Sequence, residues 1–296
     1  MASETTRTSL TEIVNSEVIA EIILQYAADA TVLSPLTRVM NLAGRASAVA
    51  SFPQWELDAV SDITTEGTTA LSNVELQTTE VATITAAAVG ILREVTEGAW
   101  NTNMLGRDGL MQFLVEDGAR LCVLEVENDL AALLSGFTTT VGSTGVDLSV
   151  ANFVEAISRM DTQNARGRKV CVLDDQQAFD IRAAVAASTG TVFAGSSGLQ
   201  SILNATANGF VGELFGVPIY VTNLTDTANT AADVVGGMFI DGNANPDFAG
   251  LGMALLWLPK LSMVALPDVV ADQIAVTMAY GVGRISDFGV DLTTDA

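Results

Sequence analysis

Between Asp108 and Ser135, apolar residues recur at Leu110, Phe113, Leu114, Leu121, Leu124, Leu130, Leu133 and Leu134, the spacing of one helical face. Asp108 can cap the start and Gly136 can stop the end. At about 1.5 Å per residue the pattern predicts a rod of roughly 42 Å, against a mean helix of about a dozen residues. A domain with such a rod is built along it, and other segments must cover its apolar stripe.

The segments before the rod are poor core formers. Residues 9–28 place Leu10, Ile13, Val14, Val18, Ile22 and Ile23 at helical spacing, with Glu12, Glu17 and Glu21 on the other side, so a short amphipathic arm is expected. Ser34 precedes Pro35, which disfavours helix there and predicts an extended run toward Leu42. Over residues 45–98, Thr, Ser, Ala and Val dominate, and Val89, Ile91, Arg93 and Val95 alternate; two strands joined by a polar tip are expected. Residues 46–92 contain Glu56, Asp58, Asp62, Glu66, Glu75 and Glu80 and no base. The middle of that stretch has too few large apolar residues to bury itself, so it stays solvated or leans on another molecule.

After the rod the pattern changes to alternating helix and strand. Ser149 can cap a helix to about Asn164 with Phe153, Val154, Ile157 and Met160 on one face; residues 170–173 read as a buried strand and 174–187 as a second helix. A loop rich in Gly, Ser and Ala follows at 190–208, then short strands at 210–223, 234–241 and 252–258. Residues 248–267 have the length of a membrane span but contain Pro259, Lys260, Gly250 and Gly252, so they are read as two buried strands turning at Pro259-Lys260. The last segment, 271–292, alternates around Gly281 and Gly283 as two strands or one bent strand would.

Composition narrows the function. With 35 acidic and 13 basic residues the formal net charge is -22, a surface that repels phosphate and disfavours gripping nucleic acid. The chain has no His, which removes the usual general base and the commonest metal ligand. Cys122 and Cys171 stand in contexts that read as buried, so no disulfide framework is expected. Residues 1–12 are polar and acidic, without a secretory apolar core, and synthesis in a reducing cytoplasm is the default.

Each motif with chemical potential has a plainer alternative. Gly195-Ser196-Ser197-Gly198 has the wrong spacing for a nucleophile elbow and lacks an activating histidine. Gly281-Val282-Gly283 lacks the third glycine of a dinucleotide fingerprint and reads as a bend. Asp241, Asn243, Asn245 and Asp247 alternate as calcium-loop ligands do, but Pro246 replaces the required glycine and Gly252 the closing glutamate, which favours a solvated turn. Adjacent Asp174 and Asp175 suit a helix start better than acid-base work. Arg159, Arg166, Arg168 and Lys169 are four of the 13 bases. They read either as a helix C-terminus followed by a strand edge or as a contact for a neighbour's acids, with Glu66 and Glu75 as candidate partners. No catalytic, cofactor or metal site is expected.

The order of arm, acidic two-stranded excursion, single long helix, α/β block and closing strands resembles the major capsid proteins of tailed bacteriophages, the Hong Kong 97 fold. Local runs agree: Glu94-Val95-Thr96-Glu97 before the long helix, Ser149 to Met160 followed by Lys169-Val170-Cys171-Val172-Leu173, and Gly212-Glu213-Leu214-Phe215-Gly216-Val217-Pro218-Ile219, which looks like the family's strand, glycine turn and proline-led strand. The resemblance implies an α+β fold with an N-terminal arm (1–44), an extended β-hairpin loop (45–98), a peripheral domain with a spine helix (99–140), an axial domain (141–267) and closing strands of the peripheral domain (268–296). It implies pentamers and hexamers forming an icosahedral shell around double-stranded DNA, with a separate scaffolding protein because the arm begins near Met1, a portal and decoration proteins as partners, and no membrane. Some relatives form isopeptide bonds from a lysine in the extended loop. The only lysines here, Lys169 and Lys260, lie outside it, so covalent linkage is not expected. An encapsulin-like bacterial compartment of the same fold is the alternative. A flagellin or surface-layer subunit fits the strand-rich C-terminus poorly, and a soluble α/β enzyme would need a site that the sequence lacks.

Overall fold

The computed structural model of the chain describes residues 31–53, 81–102, 106–163, 167–187, 209–228, 232–266, 268 and 270–295. In chain order the elements are β1 (Arg38–Asn41), β2 (Val49–Pro53), β3 (Val81–Thr85), β4 (Ala87–Thr96), α1 (Glu97–Thr102), α2 (Gly106–Ala132), β5 (Thr139–Gly142), α3 (Val150–Thr162), β6 (Lys169–Leu173) and α4 (Asp175–Ala187). There follow β7 (Phe210–Leu214), β8 (Val217–Val221), β9 (Asp226–Ala228), β10 (Asp233–Ile240), β11 (Leu251–Leu266), β12 (Ala271–Arg284) and β13 (Gly289–Asp295). They form a four-stranded sheet ordered β1-β11-β12-β4, a seven-stranded sheet ordered β5-β13-β10-β6-β8-β7 with β9 on β10, and the hairpin β2-β3.

The long helix is present as α2, 27 residues or roughly 40 Å. Its buried face differs from the expected stripe. Val115, Gly118, Ala119, Cys122, Val126 and Leu130 face the core, whereas Phe113, Leu121 and Leu124 are exposed. The reason is distance: a Cβ on Gly118 would come within 2.7 Å of Val276 Cγ2 on β12, so only small side chains fit the seam. Asp117 on α2 accepts from Arg93 on β4, and Tyr280 on β12 donates to Asp129 at 2.6 Å, fixing both ends of the contact. Toward its C-terminus α2 meets the second sheet, where Leu130 and Leu134 share a core with Val170, Val172 and Phe239. The helix therefore joins the two sheets.

The local reading holds at the caps. The Ser149 side chain accepts from Asn152 N at the start of α3, and Asp174 accepts from Gln176 N at the start of α4. β7 and β8 form a two-residue hairpin whose turn residues Phe215 and Gly216 both have positive φ (52° and 82°), the geometry that matches strand twist. Ser34 and Pro35 open a single 3-10 turn before β1 instead of an extended run.

Two expectations are corrected. Residues 251–266 form one strand, not two with a turn. Pro259 sits at a register shift between Trp257 and Lys260, beyond the last residue of β11 paired with β1, where no ladder hydrogen bond from its nitrogen is needed. Gly281 and Gly283 do not interrupt the strand but lie within continuous β12. A Cβ on Gly281 would strike the Thr85 carbonyl and one on Gly283 would lie 3.1 Å from Ile84, so both glycines let the β2-β3 hairpin cross closely. The last segment forms two strands, one of its two expected readings: β12 lies between β11 and β4, and β13 joins the large sheet between β5 and β10.

The seam makes a testable demand. Gly118→Val should overpack it and lower unfolding free energy by about 1–3 kcal/mol, whereas Phe113→Ser on the outer face should stay within about 0.5 kcal/mol. Denaturant melts of the two variants check this.

Candidate subunit-contact surface

Among the described residues, strand pairing leaves two open edges on the four-stranded sheet. β1 pairs with β11 only from Gly252 to Leu255, so from Trp257 to Leu266 the described strand has β12 as its sole partner, an unpaired edge of roughly 30 Å. β4 ends the sheet on the other side. Along this projecting part Leu92, Leu258, Val264 and Val270 are exposed. Long edges template pairing with another chain; Pro259, Lys260 and the two register shifts blunt the near part of this one, so the regular open stretch runs from Leu261 to Leu266.

A second feature escaped the sequence. Glu127 lies on the buried face of α2, 1% exposed. Its carboxylate accepts from the backbone N–H of Val32 (3.0 Å), Leu33 (2.7 Å) and Ser34 (2.9 Å) and from the Ser34 hydroxyl (2.5 Å). A carboxylate with four donors is a satisfied buried charge, and it ties the start of the described chain to the C-terminal part of the long helix. One glutamate among the acids of α2 resembles a solvated residue; the available signal was its spacing from Val123, Leu130 and Ala131 on the same face.

One long helix packs against a four-stranded sheet and carries a second, seven-stranded sheet near its far end, and this arrangement as a whole is similar to solved shell proteins. A chain from the capsid structure of the cyanophage P-SCSP1u matches with a TM-score of 0.64 at 15% identity, over 90% of this chain and 88% of that one. The capsid of Ralstonia phage GP4 gives 0.66 at 11% identity, over 90% and 92%. The chain has the fold of tailed-phage capsid proteins. The fold is shared with the encapsulin complex from Synechococcus elongatus PCC 7942, at a TM-score of 0.61 and 10% identity over 89% and 87%. No protein-family model matches the sequence, and no curated protein matches it either.

Within this capsid fold, the described members of the basic cluster have partners on their own chain. Arg159 pairs with Glu155 at 3.0 Å, Lys169 with Asp161 at 2.5 Å and Arg168 with Asp241 at 3.4 Å. Arg159 closes α3, and Arg168 and Lys169 enter β6, which is the helix-end arrangement. Arg166, Glu66 and Glu75 lie outside the described residues, as do the Gly195–Gly198 loop and the amphipathic stretch 9–28.

The alternating acids near Asp241 form a closed turn, not an open ligand set. Asp241 Oδ1 accepts from Asn243 N and Ala244 N, its Oδ2 faces Arg168, and Asn245 Oδ1 accepts from Arg168 N. Asp241 is buried, so the turn is less solvated than expected. Asp174 is occupied by Gln176 N and the Thr225 hydroxyl. Cys122 and Cys171 are buried free thiols, and burial pushes both thiols up. Among the described residues no group of three or more Cys, Asp or Glu is placed to hold a metal ion, and no helix is long and apolar enough to cross a membrane.

Burial also raises the Asp180 carboxyl, with the charges of Asp147 and Asp295 adding to the rise and the Leu148 N–H and Gln176 side chain opposing it. The sign follows directly. A folded-state value above the unfolded one means that ionised Asp180 costs stability at neutral pH, a cost that fades as pH falls toward about 4. Wild type should therefore gain stability relative to Asp180→Asn between about pH 7 and about pH 4. Parallel pH profiles in urea melts would contradict this.

Proposed function

We propose that the chain is a major capsid protein: its copies assemble as pentamers and hexamers into an icosahedral shell that encloses the double-stranded DNA of a tailed bacteriophage. The observation that carries this reading is a capsid fold matched over about nine-tenths of both chains. Open sheet edges and exposed apolar residues on β11 and β4 support it, because a subunit of a shell has neighbours to cover them. An acidic subunit does not adhere to packed DNA, so the genome is held by enclosure and not by sequence-specific contact. The shell is built in the host bacterial cytoplasm and becomes the virion capsid. A scaffolding protein, a portal and, on some shells, a decoration protein are its partners. The role needs no catalysis and no cofactor.

A second reading, an encapsulin-like compartment, is favoured by the match to the Synechococcus encapsulin complex. Particle contents separate the two. Purified particles should carry nuclease-resistant DNA when made with the other phage proteins, and boiling them in detergent and reductant should yield single chains near 30.8 kDa, because no lysine precedes Lys169. Protein cargo in place of DNA would establish the compartment, and a chain that never assembles would end both readings.

Assembly must also overcome repulsion between subunits of formal charge -22. The screening length is about 10 Å at 0.1 M salt and about 30 Å at 0.01 M, so low salt should weaken association. The exposed side of the basic cluster is proposed to relieve part of this by facing a neighbour's acidic loop. Reversing Arg166 and Arg168 to Glu should lower particle yield, and reversing Glu66 and Glu75 to Lys in the same chain should restore some of it. Because Arg168 also pairs with Asp241 internally, the melting temperature of the unassembled chain is the control.

A further inference from the structure

The end of the large sheet where β10 begins and β13 finishes gathers acids from separate elements. Asp233 and Asp295 are direct partners in the β10-β13 ladder, so their side chains leave the same face of the sheet with Cβ atoms about 5 Å apart. Like charges directly opposite each other destabilise a strand pair. The loop after β5 is tied to both residues: Gly145 N donates to Asp233 Oδ1 at 2.8 Å, and Asp295 N donates to the Val146 carbonyl at 3.2 Å. Asp147 of that loop and Asp295 both act on Asp180 of α4, so negative charge accumulates here from four parts of the chain.

Asp233 differs from its neighbours. It is fully buried, at 0% exposure, and its Oδ2 meets no hydrogen-bond partner. Among the described residues no Lys or Arg pairs with it. A buried carboxylate is otherwise satisfied by donors, as Glu127 is, or holds a metal ion. Protonation at Oδ2 does not resolve the conflict, because the new O–H has no acceptor there. A cation between Asp233 and Asp295 satisfies the open oxygen and cancels the repulsion together.

We propose that Asp233 and Asp295 hold a calcium ion where β10, β13 and the 143–149 loop meet. Calcium takes roughly six to eight oxygens in flexible geometry, carbonyls and water among them, so two carboxylates anchor it without the larger acidic cage that these residues do not form. Magnesium demands near-ideal octahedral geometry and sheds water reluctantly, which suits a fully buried oxygen poorly. With so few charged ligands the dissociation constant is on the order of 1 mM. The ion pins the loop to both strand ends. The proposal concerns the single subunit and stands whether or not that subunit builds a shell.

Urea unfolding of the full-length unassembled chain, with calcium chloride added at constant ionic strength near neutral pH, tests it. Calcium at about 10 mM should lower the wild-type unfolding constant about tenfold relative to chelated buffer, as mass action on such a site requires. Magnesium at the same concentration should do less. Asp233→Asn and Asp295→Asn should each lose most of the calcium response. Glu125→Gln, at an exposed acid on α2, should keep it, which separates a site from general screening of an acidic surface. Should Asp233→Asn fail to fold, Asp295→Asn, at a half-buried position, still decides. No calcium response in wild type, an equal response to magnesium, or a full response kept in Asp295→Asn would overturn the proposal.

Discussion

The structure depends on how closely α2 approaches β12. Gly118 sits against Val276 with no room for a Cβ, and Ala119 and Cys122 continue the small-residue face. This closeness places Arg93 within reach of Asp117 and the Tyr280 hydroxyl within reach of Asp129, so helix, β12 and β4 lock as a unit. Burial, with the Asp129 contact second, pushes the Tyr280 phenol up, so it stays a neutral donor under all ordinary conditions. Because the same helix continues into the core of the large sheet, a change in its tilt would be felt in both sheets.

Much of this was legible in the residues, and the failures share a cause. The length and ends of α2, the Ser149 cap, the β6 strand and the Gly216 hairpin follow from local rules, in which each residue is judged against its chain neighbours. The buried face of α2 is set by a partner far away in sequence. Size made Phe113, Leu121 and Leu124 look like the core, but a tight seam selects Gly118 and Ala119 and sends the large residues outward. Pro259 and Gly281 were misread in the same way. Each looks like a local breaker, whereas Pro259 is tolerated on an unpaired edge and Gly281 makes room for the crossing hairpin.

Electrostatics divides along the chain. Several described basic residues have internal acidic partners: Arg159 with Glu155, Arg168 with Asp241, Lys169 with Asp161, and Arg107 with Asp272. Arg159–Glu155, exposed on both sides, contributes about 0–1 kcal/mol, whereas the other three each have one largely buried partner, Asp241, Lys169 or Asp272. Glu127 differs because it is buried and fully donated to, and losing it would leave three backbone N–H groups without an acceptor. In the sequence only its helical spacing from Val123, Leu130 and Ala131 sets this acid apart from those that make the surface negative.

The central claim is that the open edge of β11 beyond Trp257, together with Leu258 and Val264, is a surface completed by neighbouring copies. Cryo-electron microscopy of the assembled protein tests it most directly. The account predicts closed shells with five- and six-fold clusters in which a neighbour lies against that edge and covers both side chains. A chain that stays single at every concentration, or a shell in which the β11 edge faces open solvent, would contradict it.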